Sequence, residues 1–252
     1  MDTSTVISRL RAAGCVFAED EAALLVEAAT TSAELESLVQ RRVAGLPLEH
    51  LLGWAEFHGL RIAVRPGVFV PRRRTGFLVD VAVSLAPPDP VVLDLCCGSG
   101  ALGAAFAAAL PPRELHAADV EPAAVDCARL NLPLVYQGDL YDALPASLRG
   151  RVDVLLANVP YVPTDAVATM PPEARLHEPL VALDGGADGL DLARRVAEGA
   201  PRWLAPGGTV LVESSERQAP VLTGIFAAAG LKPDVHESGD LGATVVTGTA
   251  QS

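Results

Sequence analysis

The chain has 252 residues and a net charge of −12, with half of its residues hydrophobic and 20% charged, which excludes a disordered chain and allows one large domain, with or without a small appendage. No apolar run reaches the ~18 residues of a membrane span, and MDTSTVISRL lacks the basic-then-apolar order of a secretion signal, so a cytoplasmic protein with no membrane partner is expected. The acidity also argues against nucleic acid as partner, because a groove that tracks phosphates is basic and the one basic cluster, Arg72-Arg73-Arg74, is short.

Residues 4–43 read as helical. VISRLRAAGCV and EDEAALLVEAA carry apolar residues three and four apart, and TSAELESLVQRRVAG offers Thr31 or Ser32 as N-cap and Gly45 as a stop. Residues 1–50 are therefore expected to form a small helical appendage. In FHGLRIAVRPGVFVP, Leu60, Ile62 and Val64 alternate with other residues, RPG signals a turn and VFV follows, so a β-hairpin linker is expected within residues 51–75.

From residue 76 onward strands and helices alternate. VVLDL, ELHAADV, LVYQGDL, VDVLLANV and TVLVES read as strands. GALGAAFAAAL, PAAVDCARLNL, GLDLARRVAEGAPRWL (ended by APGG) and APVLTGIFAAAG read as helices, and KPDVHES and ATVVTGT as a closing pair of strands. This rhythm predicts a main α/β domain over residues 76–252: a doubly wound, mostly parallel sheet that binds its ligand at the carboxyl ends of its strands.

Three features mark that edge. VVLDLCCGSGALG puts Gly98 and Gly100 between a strand and a helix, with Asp94 near the strand end. Asp119 ends the next strand, where an acidic residue meets ribose hydroxyls, and Asp139 ends the third. The loop alone could be a tight turn. Gly98, Gly100 and Gly103 formally fit a dinucleotide fingerprint, but the Asp94-led form suits S-adenosylmethionine, whose ammonium wants acidic acceptors, and no hydride-transfer site is in view. The four cysteines, Cys15, Cys96, Cys97 and Cys127, form no C-x-x-C pair and have no histidine cluster beside them, so no metal site or disulfide framework is expected.

The fourth strand ends at Asn158, followed by Val159-Pro160-Tyr161. An amide there can accept from an N–H, the prolines restrict the backbone that carries the Val159 carbonyl, and Tyr161 offers a flat face. Such a corner suits an amine or amide nitrogen; an ordinary strand-ending turn is the alternative.

NVPY resembles the Asn-Pro-Pro-Tyr signature of amino- and amide-directed methyltransferases. Residues 45–246 resemble the HemK/PrmC protein-(glutamine-N5) methyltransferases, through GLPLEHLLGWAEFHGLRIAVRPGVFVPRRRTGFLVD, VLDLCCGSGALG, ADVEPAAVDCARLN, GDLYDAL, NVPYVPT, HEPLVALDGGADGLDLARRV and LAPGGTVLVESSERQ, in the family's order. The resemblance implies a Rossmann-like class I S-adenosylmethionine-dependent methyltransferase, with a seven-stranded sheet whose last strands form an antiparallel hairpin. It implies cofactor contacts at Asp94, Cys96, Gly98, Gly100, Asp119, Val120, Asp139, Leu140 and Asn158. It also implies an acceptor site at Asn158, Val159, Pro160 and Tyr161, with Pro71, Arg72, Arg74 and Thr75 alongside and Asn158, Pro160 and Tyr161 catalytic. Family members methylate the glutamine of a Gly-Gly-Gln motif in peptide release factors.

Val159 stands where the family has its first proline, Cys96 where it has glycine, and Arg73, Arg74 and Gly76 where the Ile-Pro-Arg-Pro-Glu-Thr-Glu box has Pro, Glu and Glu. These departures describe a divergent paralogue and leave the acceptor open: a release factor, another protein, or a small molecule taking N- or O-methylation. A non-catalytic cofactor-binding protein is the remaining alternative. An arginine beside the pocket would favour an acceptor bearing carboxylate or phosphate; solvated arginines would not. Methyl transfer to an amide needs alignment more than a base. His177, beside Glu178, is the nearest base candidate, and a structural role suits it better.

Overall fold

The computed structural model describes residues 2–251. The N-terminal helices begin where the sequence supplies caps. α1 (Thr3–Ala12) follows Asp2, whose carboxylate accepts from the Thr5 N–H at 2.8 Å. α2 (Ala18–Ala28) comes next. α3 (Ser32–Val43) follows Thr31, whose hydroxyl accepts from the Glu34 N–H, while Glu34 reaches back to the Thr30 N–H. Val6, Leu10, Leu25 and Val39 bury against one another as a small core of their own. α4 (Leu48–Leu52) then leads into the linker.

The linker hairpin differs from the expected one. β1 (Trp54–Phe57) pairs antiparallel with β2 (Leu60–Ala63), and the turn is His58-Gly59, both at positive φ, not Arg65-Pro66-Gly67. Two left-handed residues match the twist of a two-residue hairpin. The partner of the alternating run therefore precedes it. Val68–Val70 forms no strand; the Val70 N–H goes instead to the Glu178 carboxylate at 3.1 Å.

α5 (Gly76–Leu85), not anticipated from the sequence, packs on the sheet through Leu78, Val79 and Ala82. Its GFLVDVAVSL is apolar on most sides and carries little periodic signal. The main sheet comprises β3 (Val91–Leu95), β4 (Glu114–Asp119), β5 (Val135–Gln137), β6 (Val152–Ala157), β7 (Leu204–Ser214), β8 (Lys232–Ser238) and β9 (Ala243–Thr249). Their spatial order is β5-β4-β3-β6-β7-β9-β8, all parallel except β9, which runs antiparallel to both its neighbours. The fold is the seven-stranded, Rossmann-like α/β arrangement expected. α6 (Ala101–Ala109), α7 (Pro122–Ala128), α8 (Pro172–His177), α9 (Asp191–Gly199) and α10 (Ala219–Ala228) complete it.

β3 is buried along its whole length, which explains why it is apolar throughout except at Asp94. The segment APGG does not stop a helix. α9 ends earlier, at Gly199, and APGG lies inside β7, where the pairing with β6 shifts register between Val152 and Val154. Such an irregularity lets a Pro-Gly pair sit within a strand. Among the described residues no helix is long and apolar enough to cross a membrane.

Candidate active site

The carboxyl edge of the sheet is where the chain must turn from strand to helix. After β3 it does so through three left-handed residues: Cys96 (φ +55°), Gly98 (+54°) and Gly100 (+78°). At Gly100 a Cβ would stand 2.7 Å from the Leu132 Cδ1, so this cap of α6 requires glycine. Cys96 adopts the same conformation with a side chain, at a cost that glycine would not incur.

Two aspartates brace this loop. Asp119, at the end of β4, accepts from the Gly98 N–H at 2.9 Å with one oxygen and from the Glu121 N–H at 3.0 Å with the other. Asp94 is fully buried beneath the loop and accepts from the Gly103 N–H at 2.9 Å; its second oxygen has no partner. Burial, partly offset by the Gly103 bond and reinforced by the Asp119 charge, pushes the Asp94 carboxyl up to about 7. Burial also raises Asp119.

Beyond β3 lies β6, and beyond β6 lies β7. Ala157 pairs with Val212, so Asn158 and Glu213 are the next residues on adjacent strands. The Asn158 side chain is half-buried and has no hydrogen-bond partner among the described residues. The turn after it is held from outside. Gln218 donates to the Tyr161 carbonyl at 2.9 Å, and the Gly185 N–H to the Val162 carbonyl at 2.8 Å. Gly189 passes so close that a Cβ would lie 2.2 Å from the Tyr161 carbonyl oxygen. NVPY is thus clamped by the DGGADG segment that follows it in sequence.

Tyr161 turns its hydroxyl to Glu213, donating at 3.0 Å to Oε1, and receives a bond from Arg74; the Arg74 Nε also donates to that oxygen at 3.2 Å. Burial pushes the Tyr161 phenol up. Arg72 donates to Glu178 at 2.5 Å and lies over the Phe69 ring, 4.7 Å from its centre. Two of the three consecutive arginines are therefore paired with carboxylates, Arg72 with Glu178 and Arg74 with Glu213.

One cleft unites most of the residues singled out from sequence. Arg72, Arg74, Thr75, Cys96, Gly98, Asp119, Val120, Asn158, Val159, Pro160 and Tyr161 line it, as does Pro71. Asp94 and Gly100 lie behind the loop instead. Asp139 and Leu140 follow β5, outside the lining, with Asp139 paired to Arg195 at 2.8 Å. His177 closes α8 near Gly45, away from the cleft. The cleft also takes in Glu213, Phe69 and Met170, which the sequence did not single out.

Glu178 deserves its own test, because it fastens the arginine segment. Its side chain is 1% exposed, and it also takes the Val70 N–H. Glu178→Ala strands that N–H and one guanidinium, so unfolding in urea should show a loss of about 1–3 kcal/mol. An unchanged midpoint would mean the pair contributes nothing to the fold.

The family described as methyltransferase small domain matches residues 60–227. A release factor glutamine methyltransferase of Geobacter sulfurreducens is 37% identical to this chain over 204 residues, 79% of this chain and 71% of that protein. Another, from Streptomyces coelicolor, is 38% identical over 212 residues, 81% and 75% of the two chains. A methyltransferase of Pyrococcus furiosus, only 17% identical, superposes with a TM-score of 0.56 over 77% of this chain and 90% of its own, a likeness of fold alone.

Proposed function

The chain belongs to the methyltransferase small domain family, in its HemK/PrmC branch, and is an S-adenosylmethionine-dependent methyltransferase; on that premise we propose that it methylates the side-chain amide nitrogen of a protein glutamine. A release factor, the acceptor in its relatives' names, is the first to test. The observation that carries this reading is the Asn158 amide, unpartnered, at the tip of β6 in the same cleft as Asp119 and the glycine loop.

The residues present suit the cofactor. The Gly98 backbone is open, with nothing within 4 Å of a would-be Cβ, so a ligand can approach closely. Asp119 would take the ribose hydroxyls, with Val120 beside it, while Cys96 and Gly98 border the methionine part. Asp139 and Leu140, one strand further out, would meet the adenine end. Asp94 and Gly100 act from beneath, by fixing the loop.

When bound, S-adenosylmethionine supplies a methyl group already activated on a sulfonium. An amide nitrogen is a poor nucleophile because its lone pair is conjugated with the carbonyl. The protein's task is to hold that nitrogen in line at attack distance. The Asn158 side-chain oxygen and the Val159 carbonyl would accept its two N–H bonds, and the Tyr161 ring would cover its plane. Both acceptors would favour the positive charge that builds on nitrogen while the methyl carbon exchanges its bond to sulfur for one to nitrogen, the demethylated cofactor leaving as a neutral thioether. The nitrogen then loses one proton to water.

The test offers labelled cofactor to a release factor and to the same protein with the Gly-Gly-Gln glutamine changed to alanine. Label on the first and not on the second is expected. Equal labelling of both, or of neither, would sink the proposal for this acceptor.

A further inference from the structure

A glutamine side chain is short. Its amide nitrogen lies roughly 5 Å from its backbone when extended, so a protein that offers this amide must run its chain along the mouth of the cleft. A groove opens off that mouth and shares Arg72, Arg74 and Met170 with the cleft. Its walls come from separate parts of the fold: Pro47 just before α4, the arginine segment, the start of α8, and Asp240 in the turn between β8 and β9.

Most of the charge in this groove is already answered. Arg72 is held by Glu178, Arg74 by Glu213, and Glu173 by Arg42 at 3.3 Å. Arg73 is different. It lines the groove and not the cleft, it is exposed, and it has no partner among the described residues. Its backbone is nonetheless fixed. It begins a single helical turn, Arg73–Thr75, in which the Thr75 N–H donates to the Arg72 carbonyl at 2.9 Å. The arginines on either side of it are anchored to carboxylates whose side chains are 1% and 3% exposed. A free guanidinium on a rigid base suits a carboxylate, because its planar fork takes both oxygens and little backbone order has to be gained on binding. Asp240 lines the same groove, exposed and without a partner among the described residues, and does not pair with Arg73. The groove thus holds one free charge of each sign, so it accepts an acidic side chain beside Arg73 and disfavours one beside Asp240.

The geometry points to this groove as the track of the acceptor's polypeptide chain, with Arg73 as a specificity-determining residue that pairs with an acidic side chain a few residues from the glutamine. This rests on the glutamine reading above. An arginine that merely offsets the protein's acidity would give no dependence on where the acceptor's charge lies.

The experiment gives wild type, Arg73→Ala and Arg73→Glu a set of release factors. In these, aspartate, alanine or lysine replaces one residue at a time beside the Gly-Gly-Gln motif, up to about five on either side, a reach of roughly 16 Å. Wild type should prefer aspartate to lysine at one or two positions on one side of the motif, by about 3- to 10-fold in kcat/KM and through KM, the scale of a partly exposed ion pair. Arg73→Ala should flatten that preference, and Arg73→Glu should invert it at the same positions. Cofactor affinity and the urea midpoint should match wild type, since the Arg73 side chain supports no other residue among the described ones. A preference for aspartate that survives in Arg73→Ala, or none in wild type, would overturn the assignment while leaving the glutamine reading intact. A wild type that labels the glutamine of none of these proteins would overturn both.

Discussion

Asn158→Ala should lower turnover on the true acceptor about 100-fold or more while leaving cofactor affinity within about threefold. The asymmetry follows from position. Asn158 sits at the tip of β6, and its side chain supports no other part of the protein among the described residues. Removing it leaves the glycine loop and Asp119 as they are. On the proposed reading, what is lost is one of the acceptors that fix the reacting nitrogen, and with it the alignment that makes a weak nucleophile competent. Stability should change little, since no internal hydrogen bond is broken. Steady-state kinetics with cofactor titration by calorimetry separates the two effects. A variant that keeps wild-type turnover would remove Asn158 from the mechanism. One that loses turnover and cofactor affinity together would move it to the cofactor site.

Asp119→Ala should act the other way. It should weaken cofactor binding by about 1.5–3 kcal/mol, the scale of hydrogen bonds to a charged group. Asp119 has two duties. Its carboxylate would meet the ribose, and it also holds the Gly98 and Glu121 N–H groups. The alanine variant therefore loosens the glycine loop as well as deleting a ligand contact, which sets the loss at the upper part of that range. Calorimetry with the demethylated cofactor product measures it directly, free of turnover. Binding unchanged in the variant would show that the ribose lies elsewhere.

The parts of this site that were legible in sequence are those in which one short segment carries the whole signal. Asp94, Asp119 and Asn158 each lie at or just past the end of an apolar run, and the run predicts both the strand and which end faces the ligand. Gly98 and Gly100 announce a turn by themselves. Glu213 was not legible, because its meaning comes from partners 139 and 52 residues away in the chain. ESS ends a strand in a stretch that resembles the family's, yet nothing in it names those partners. Arg72 and Glu178 are likewise 106 residues apart, so a cluster of arginines looked like free charge when two of the three were paired.

The fold shows the same division. Strands buried on both faces were readable from continuous apolar runs. α5 was not, since a short helix that is apolar nearly all round has no periodic face. The hairpin was expected in the right region with the wrong turn, because His-Gly is not among the strong turn dipeptides whereas Arg-Pro-Gly looks like one. APGG was expected to end a helix, yet it is absorbed in β7 where the register with β6 slips. That slip depends on the neighbouring strand, which no local pattern encodes.

The central claim is that this cleft places a methyl group on a side-chain amide nitrogen of a protein. Tandem mass spectrometry of the release factor after incubation with enzyme and methyl-labelled cofactor tests it most directly, because it locates the methyl atom by atom. One added methyl on the side-chain nitrogen of the Gly-Gly-Gln glutamine is the result predicted. A methyl found on a carboxylate oxygen, as a base-labile ester, would contradict it.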